Sequence, residues 1–266
     1  MPALSKKYAE TSRVHWRVTW VHGATAERQS EARDLAALLR LEVLRPKDAS
    51  QWLSEARTRS LLILRRDGRP AVRPHGEKPW VWHLGMAKSR LAALRAGQPD
   101  RLVRALSLTG EDALVFDGHL GLAHDALVVA ASGARVVGSE IDPVLGYVTE
   151  CGLRALGSTG AEMRAIVSRI DLRIGHHLDV LEGMSGRFDA TMFSPMFIAP
   201  DFTSPDMEAW RRLASHAPLS PQALAKARQC SERVVIKVLK EEIEHLPPPH
   251  RLEERDKRRV VYAVYE

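Results

Sequence analysis

Cysteine is nearly absent from this chain: only Cys151 and Cys230 occur in 266 residues. Two isolated thiols exclude a disulfide framework and any Cys-x-x-Cys metal site, so a reducing, cytoplasmic compartment is expected and no metal ligand set is predicted. Long hydrophobic runs are missing as well. With no stretch of roughly 18 consecutive apolar residues, the sequence predicts no membrane-spanning helix. The opening Met-Pro-Ala-Leu-Ser-Lys-Lys lacks the apolar core of a secretory signal. Gly-x-Ser-x-Gly, a Walker loop and His-Glu-x-x-His are all absent. Serine-hydrolase, P-loop and zinc-protease chemistry therefore have no foothold. No internal repeat or low-complexity tract stands out.

What is present is enough to fold. At 45% hydrophobic the chain can bury a large core, in one domain or in a large and a small one. Its net charge of +6 conceals an asymmetry. Residues 1–107 hold 21 Lys and Arg against 10 Asp and Glu, a net +11, and the remainder carries −5. A basic portion joined to a mildly acidic one suits a polyanion such as RNA. The competing reading is an arginine-rich solvated surface without a ligand.

Residues 1–10 read as a tail. Alternation predicts a strand over 14–21, a helix over 26–41, and short strands at 60–65 and 71–73 about the Asp67-Gly68 turn. A helix over 83–96 points Met86, Leu91 and Leu94 inward and stops at Gly97 and Pro99. These elements make a small basic α/β domain, residues 1–100. From 101 to 266 strands at 112–116, 134–139, 169–174, 188–193 and 233–238 alternate with helices at 123–132, 143–156 and 221–230. Residues 251–266 close as an antiparallel strand pair. The expected fold is α/β, with a doubly wound, mostly parallel Rossmann-like sheet.

The densest signal lies between Ala113 and Asp142: a strand, a glycine turn, a helix, and a second strand ending on an acid. Gly118 and Gly121 let the backbone approach a ligand that a Cβ would block. Glu140 follows Asp117 by 23 positions, near the spacing at which an acid meets a ribose in nucleotide-binding βαβ units. The turn departs from Gly-x-Gly-x-x-Gly, with Ala123 where a third glycine would stand. Asp117 would repel a pyrophosphate yet attract a cation. S-adenosylmethionine, with an ammonium, a sulfonium and no phosphate, suits it better than a nicotinamide dinucleotide. The structural alternatives are a helix cap for Asp117 and a solvated strand end for Glu140.

The blocks Asp117–Ala126, Ser139–Pro143 and Asp189–Phe197, followed by Ala225-Lys-Ala-Arg and Arg233-Val-Val-Ile-Lys237, resemble class I S-adenosylmethionine-dependent methyltransferases. Among these the chain looks most like the bacterial small-subunit ribosomal RNA methyltransferases that modify the exocyclic amino group of guanine. The resemblance covers roughly residues 75–240. It implies S-adenosyl-L-methionine as cofactor and a pocket lined by Asp117, Gly118, Gly121, His124, Asp125, Glu140, Ile141, His176 and His177. It also implies RNA as partner, contacted through the basic N-terminal part.

The fourth strand ends in Ser194-Pro-Met-Phe197. The family places an acid where Ser194 stands, and an aromatic such as Phe197 stacks on the target base. An Asp or Asn oxygen there accepts from the target NH2 and aims its lone pair at the methyl group. Serine accepts too, but it is shorter and uncharged. Two alternatives stay open: a cofactor-binding RNA-binding or assembly module with weak or lost transfer, and a methyltransferase for a small molecule or protein. A dehydrogenase ranks last because of Asp117. Trp80 and Trp82 are expected to be buried or to stack on bases. Lys237 reads either as a phosphate contact or as a surface lysine. Asp179 reads as a cap for a helix near Val180, and Asp201, Asp206 and Glu208 as a substrate rim or solvated loop residues.

Overall fold

A computed structural model of the chain describes residues 14–108, 112–184, 187–197, 210–255 and 258–266. They fall into two compact units. One comprises the described residues up to His83, together with Asp142–Ala155 and the described part of 203–215. The other comprises Leu84–Ile141, the described residues of 156–202, and His216 onwards.

The first unit is built on strands β1 (His15–Trp20), β2 (Glu42–Val43), β3 (Arg59–Leu64), β4 (Pro70–Pro74) and β5 (Trp80–Val81), in the order β2-β1-β3-β4-β5. The first three run parallel and the last two close antiparallel. Helix α1 (Ala26–Leu39) starts where the Thr25 hydroxyl accepts from Arg28 N–H, and α2 (Pro46–Ser54) starts on a proline at its first turn. The short β2 and α2 carry little periodicity, and the sequence did not announce them. Trp80 and Trp82 are buried. Trp80 packs against Trp210, and the Trp82 ring lies over Gly152, where a Cβ would come within 2.2 Å of it. Asp142 caps the helix beginning at Pro143 through Val144 and Leu145 N–H, and accepts from Trp16 Nε1 at 3.0 Å. This helix lies in the first unit although its sequence neighbours lie in the second.

The second unit holds a seven-stranded sheet ordered β11-β12-β10-β9-β6-β7-β8. Its strands are β6 (Leu114–Asp117), β7 (Arg135–Glu140), β8 (Ile170–Ile174), β9 (Phe188–Phe193), β10 (Ser231–Leu239), β11 (Arg251–Glu253) and β12 (Val260–Tyr265). Strands β10, β9, β6, β7 and β8 are parallel; β12 and β11 are antiparallel. The doubly wound parallel sheet and its antiparallel ending match the sequence expectation. The helices are α3 (Ala87–Arg95), α4 (Arg101–Leu106), α5 (His124–Ala131), α6 (Pro143–Gly157, mostly in the first unit), α7 (Ala161–Val167), α8 (His177–Glu182) and α9 (Pro221–Cys230).

Val115, Phe116, Val136, Ala190 and Val235 are almost fully buried, as strands covered on both faces must be. Helix α5 is apolar all round, with Ala126 to Ala130 buried, which is why it read so clearly. Met86 is 77% exposed rather than inward. Residues 84–86 form a turn ahead of α3, so the helical phase expected from residue 83 does not apply there. Helix α8 starts three residues earlier than expected, capped by His176 rather than Asp179. The chain leaves β6 toward β7 and β8, then returns to the other side of β6 for β9. That reversal puts a crevice at the carboxyl ends of β6 and β9, where ligands bind in open α/β sheets.

Candidate cofactor and transfer site

All the candidate residues of the second unit gather at these carboxyl ends. Asp117 ends β6, with its side chain buried, and its Oδ1 accepts from His119 N–H at 3.1 Å. It caps no helix: α5 begins at His124, and the residue before it, Ala123, enters in the left-handed region at φ 59°. Gly118 N–H donates to the Met192 carbonyl at 2.9 Å. A Cβ on Gly118 would meet the Phe193 ring at 2.2 Å, so the close passage of turn and fourth strand requires glycine. Gly121, at φ 51°, donates its N–H to Glu140 Oε2 at 3.1 Å. Glu140 ends β7 and is buried, not a solvated strand end. Ile141 follows it, half-buried.

Three carboxylates, Asp117, Asp125 and Glu140, converge around this turn. Burial pushes the Asp117 carboxyl up to about 7, aided by the charges of Asp125 and Glu140 and opposed by the His119 N–H bond and Lys237. Asp125 opens α5 and is occupied: Oδ1 pairs with Arg90, and Oδ2 accepts from Lys237 Nζ at 2.7 Å. Burial raises its carboxyl, but Lys237 and Arg90 outweigh this and hold it well below the usual carboxylate range. Arg90 also clasps Asp100 at 2.7 and 2.8 Å. Lys237 is therefore neither a surface lysine nor a free phosphate contact. It is a part-buried partner of Asp125, its ammonium favoured by that carboxylate against the cost of desolvation.

The histidines sort into different roles. His124 packs beneath Gly85, where a Cβ would lie 2.5 Å from its ring. His176 caps α8, Nδ1 accepting from Leu178 N–H at 3.2 Å. The His177 ring packs beside the glycine turn, 5.1 Å from His119 and 5.5 Å from Phe193, both edge to face. It thus braces the glycine turn from the third strand's edge. Burial and the neighbouring His176 lower the His177 imidazole to about 4. Burial, with His177 and His176 beside it, lowers His119 to about 3. Both rings are neutral at pH 7.

Ser194 follows β9, and its hydroxyl donates to the His119 carbonyl at 3.4 Å. A small pocket of about 10 Å³, room for little more than one water, lies beside it, walled by Leu102, Asp125, Met192, Val235 and Lys237. Phe197 is half-buried three residues on. Asp201, Asp206 and Glu208 lie outside the described residues. His119, Phe193 and Arg90 were not singled out by sequence. His119 could have been, since it sits inside the glycine turn; nothing local marks Arg90, which arrives from 35 positions away. Among the described residues no group of three or more His, Cys, Asp or Glu side chains could hold a metal ion. No described helix is long and apolar enough to cross a membrane.

This arrangement fits S-adenosylmethionine. The buried carboxylates Asp117 and Glu140 stand beside a glycine turn, and a negative charge there suits a cationic ligand better than a pyrophosphate. The comparisons agree. A family model described as "Putative SAM-dependent methyltransferase" matches residues 81–264. The chain is 31% identical over 186 residues to ribosomal RNA small subunit methyltransferase J of Pseudomonas fluorescens (strain SBW25), covering 67% of this chain and 70% of that protein. It is 28% identical over 174 residues to the protein of the same name from Shewanella amazonensis, covering 63% and 70%. A crystal structure of a SAM-dependent methyltransferase from Neisseria gonorrhoeae shares the fold at a TM-score of 0.65 and 21% identity, covering 94% of this chain and 95% of that one. The chain belongs to the S-adenosylmethionine-dependent methyltransferase family.

Proposed function

We propose that this enzyme methylates ribosomal RNA, at the exocyclic amino group of a guanine, and that the carboxyl ends of β6, β7 and β8 form its cofactor site. In this reading Asp117 receives the ammonium of the cofactor and Glu140 the ribose hydroxyls, with Gly118 and Gly121 giving the backbone clearance. Ile141 and His176 line the adenosine side. His124, Asp125 and His177 act from behind, fixing the turn rather than touching the ligand. The cofactor supplies an electrophilic methyl group on sulfur, and Ser194 and Phe197 stand where the acceptor base would dock. The basic N-terminal residues, read as a small domain over 1–100 ahead of a catalytic domain over 101–266, would hold the RNA phosphates.

The observation that carries the RNA assignment is the similarity to the two proteins named ribosomal RNA small subunit methyltransferase J. The charge excess of residues 1–107 supports it. Ser194 favours a second reading, a cofactor-binding module that has lost transfer. Calorimetric titration with S-adenosylhomocysteine beside radiolabelled methyl transfer to in vitro transcribed small-subunit rRNA separates them. Binding with transfer is the expected result. Binding without transfer selects the module, and absence of binding sinks the cofactor site.

A further inference from the structure

Residues 65–73 hold four arginines against one aspartate. Three of the four, Arg65, Arg66 and Arg69, sit on the tip of the β3–β4 hairpin, which closes on the pair Leu64 and Pro70. Other arginines of the first unit have a carboxylate each: Arg17 pairs with Glu42, Arg45 with Asp48 and Arg59 with Glu55. Arg17 and Arg59 also lie 4.8 and 4.9 Å from the Trp52 ring, and Arg59 donates to the Trp52 carbonyl at 2.8 Å, so both are spent on holding α2. At the hairpin tip the balance differs. Arg65 and Arg69 share Asp67, at 3.2 and 3.0 Å. Arg66 has no carboxylate among the described residues, and its Nη2 donates to the carbonyls of His22 at 3.0 Å and Gly23 at 3.3 Å. Arg28 of α1, paired with Glu31, borders the tip: its Nη2 lies 3.9 Å from where a Cβ on Gly68 would stand.

The place in the sheet matters as much as the charge. The chain passes from β1 to β2 on one side and returns to β3 on the other. The carboxyl ends of β1 and β3 are therefore the switch point of this small sheet, where open α/β sheets take ligands. The two strands still adjoin there, Val21 N–H donating to the Leu64 carbonyl at 3.1 Å. Arg66 ties the loops that follow them. Asp67 fixes Arg69 through three bonds, from its N–H and Nε at 3.2 Å and its Nη2 at 3.0 Å. Arg65 and Arg69 nonetheless remain 39% and 54% exposed. Planar guanidiniums held in place match phosphate oxygens with little further loss of rotamer freedom.

We propose that the tip of the β3–β4 hairpin is a phosphate-binding surface for the RNA substrate, with Arg65, Arg66 and Arg69 as its contacts and Arg28 at its border. This rests on the RNA reading given above and narrows it from a general excess of charge to one loop.

Binding of the full chain to in vitro transcribed small-subunit rRNA, measured across salt concentrations, tests it. The triple variant Arg65→Gln, Arg66→Gln, Arg69→Gln should bind about tenfold or more weakly at low salt and lower the slope of log affinity against log salt by about 2–3. Its S-adenosylhomocysteine affinity should stay within about twofold of wild type, and in methyl transfer KM for RNA should rise with kcat unchanged. Replacing the same three residues by lysine keeps the charge and should restore most of the slope. A control that removes three exposed cations of the same unit, Arg40→Gln, Lys47→Gln, Arg57→Gln, should lose clearly less affinity. A hairpin variant that binds like wild type, or no worse than the control, overturns the inference, as does a lysine triple as weak as the glutamine triple. A wild type without salt-dependent RNA binding overturns the RNA reading itself, and this inference with it.

Discussion

The amide of Gly121 donates to the carboxylate of Glu140 across 3.1 Å, so the glycine turn after the first strand of the catalytic sheet is held by the acid that ends the second. Glu140 therefore braces the turn as well as ending the strand where, in the proposed reading, the ribose hydroxyls would sit. Glu140→Gln should preserve the fold yet weaken S-adenosylhomocysteine binding by about tenfold, the size of one charge-assisted hydrogen bond. Glu140→Ala should weaken binding further and lower the melting temperature, because Gly121 N–H loses its acceptor. Titration calorimetry and thermal melts measure the two effects separately.

Asp117 predicts how binding depends on pH. With its carboxyl near 7 in the ligand-free protein, a cationic ligand must displace a proton below that value. Affinity for S-adenosylhomocysteine should fall about tenfold per pH unit below 7 and level off above it. Asp117→Asn should bind weakly at all pH values and flatten the profile. A wild-type affinity unchanged between pH 5.5 and 8 would contradict the assignment of Asp117 to the ammonium.

The same groups govern acid stability, with opposite signs. His119 and His177 have depressed values, so the stability of their neutral forms is present above about 6.5 and lost as pH falls toward about 4. Asp117 has a raised value, so its contribution is present below about 4 and lost as pH rises to about 7. Two histidines oppose one aspartate. Between these limits the ligand-free protein should take up roughly one proton on unfolding from these three groups. Asp117→Asn should make the acid destabilisation steeper and His119→Phe should make it shallower, as read by melts from pH 7 to 4.5.

Gly118 tests the close passage of turn and strand. A Cβ there would lie 2.2 Å from the Phe193 ring, and Gly118→Ala should cost about 1–3 kcal/mol through overpacking. Pairing it with Phe193→Leu should recover part of the loss. Equal destabilisation in the single and double variants would show that the strain lies elsewhere.

The Lys237–Asp125–Arg90 chain is a part-buried ion network in which each member needs the others. Removing one partner, as in Lys237→Met, leaves Asp125 with half its compensation and should cost about 3 kcal/mol. The double variant Lys237→Met, Asp125→Leu should be less destabilised than the two single losses added together, a coupling that denaturant titration resolves.

Much of this was legible without a structure. The apolar run of α5, the strand ending on Asp117 and the one ending on Glu140 are set by local periodicity, and their spacing alone assigns the two acids to adjacent carboxyl edges. The parallel order of the sheet follows from alternating strands and helices, since right-handed crossovers leave few other arrangements. Short elements escaped. The strand at Glu42–Val43 and the helix at Arg101–Leu106 span too few residues for a period to show, and tertiary packing holds them.

What the sequence determined by itself is the set of groups that can hold a cationic nucleoside: a glycine turn, an acid before it and an acid after the next strand. Their meaning depends on residues a few positions apart, and the rules of strand and turn act at that range. What only the tertiary structure decided is which of these groups remain available. Asp125 is consumed by Arg90 and Lys237, His177 packs edge to face on His119 and Phe193, and His119 is left with an unpartnered nitrogen. These outcomes arise from contacts up to 112 positions apart, where burial and pairing set the charge and hydrogen bonding of each side chain.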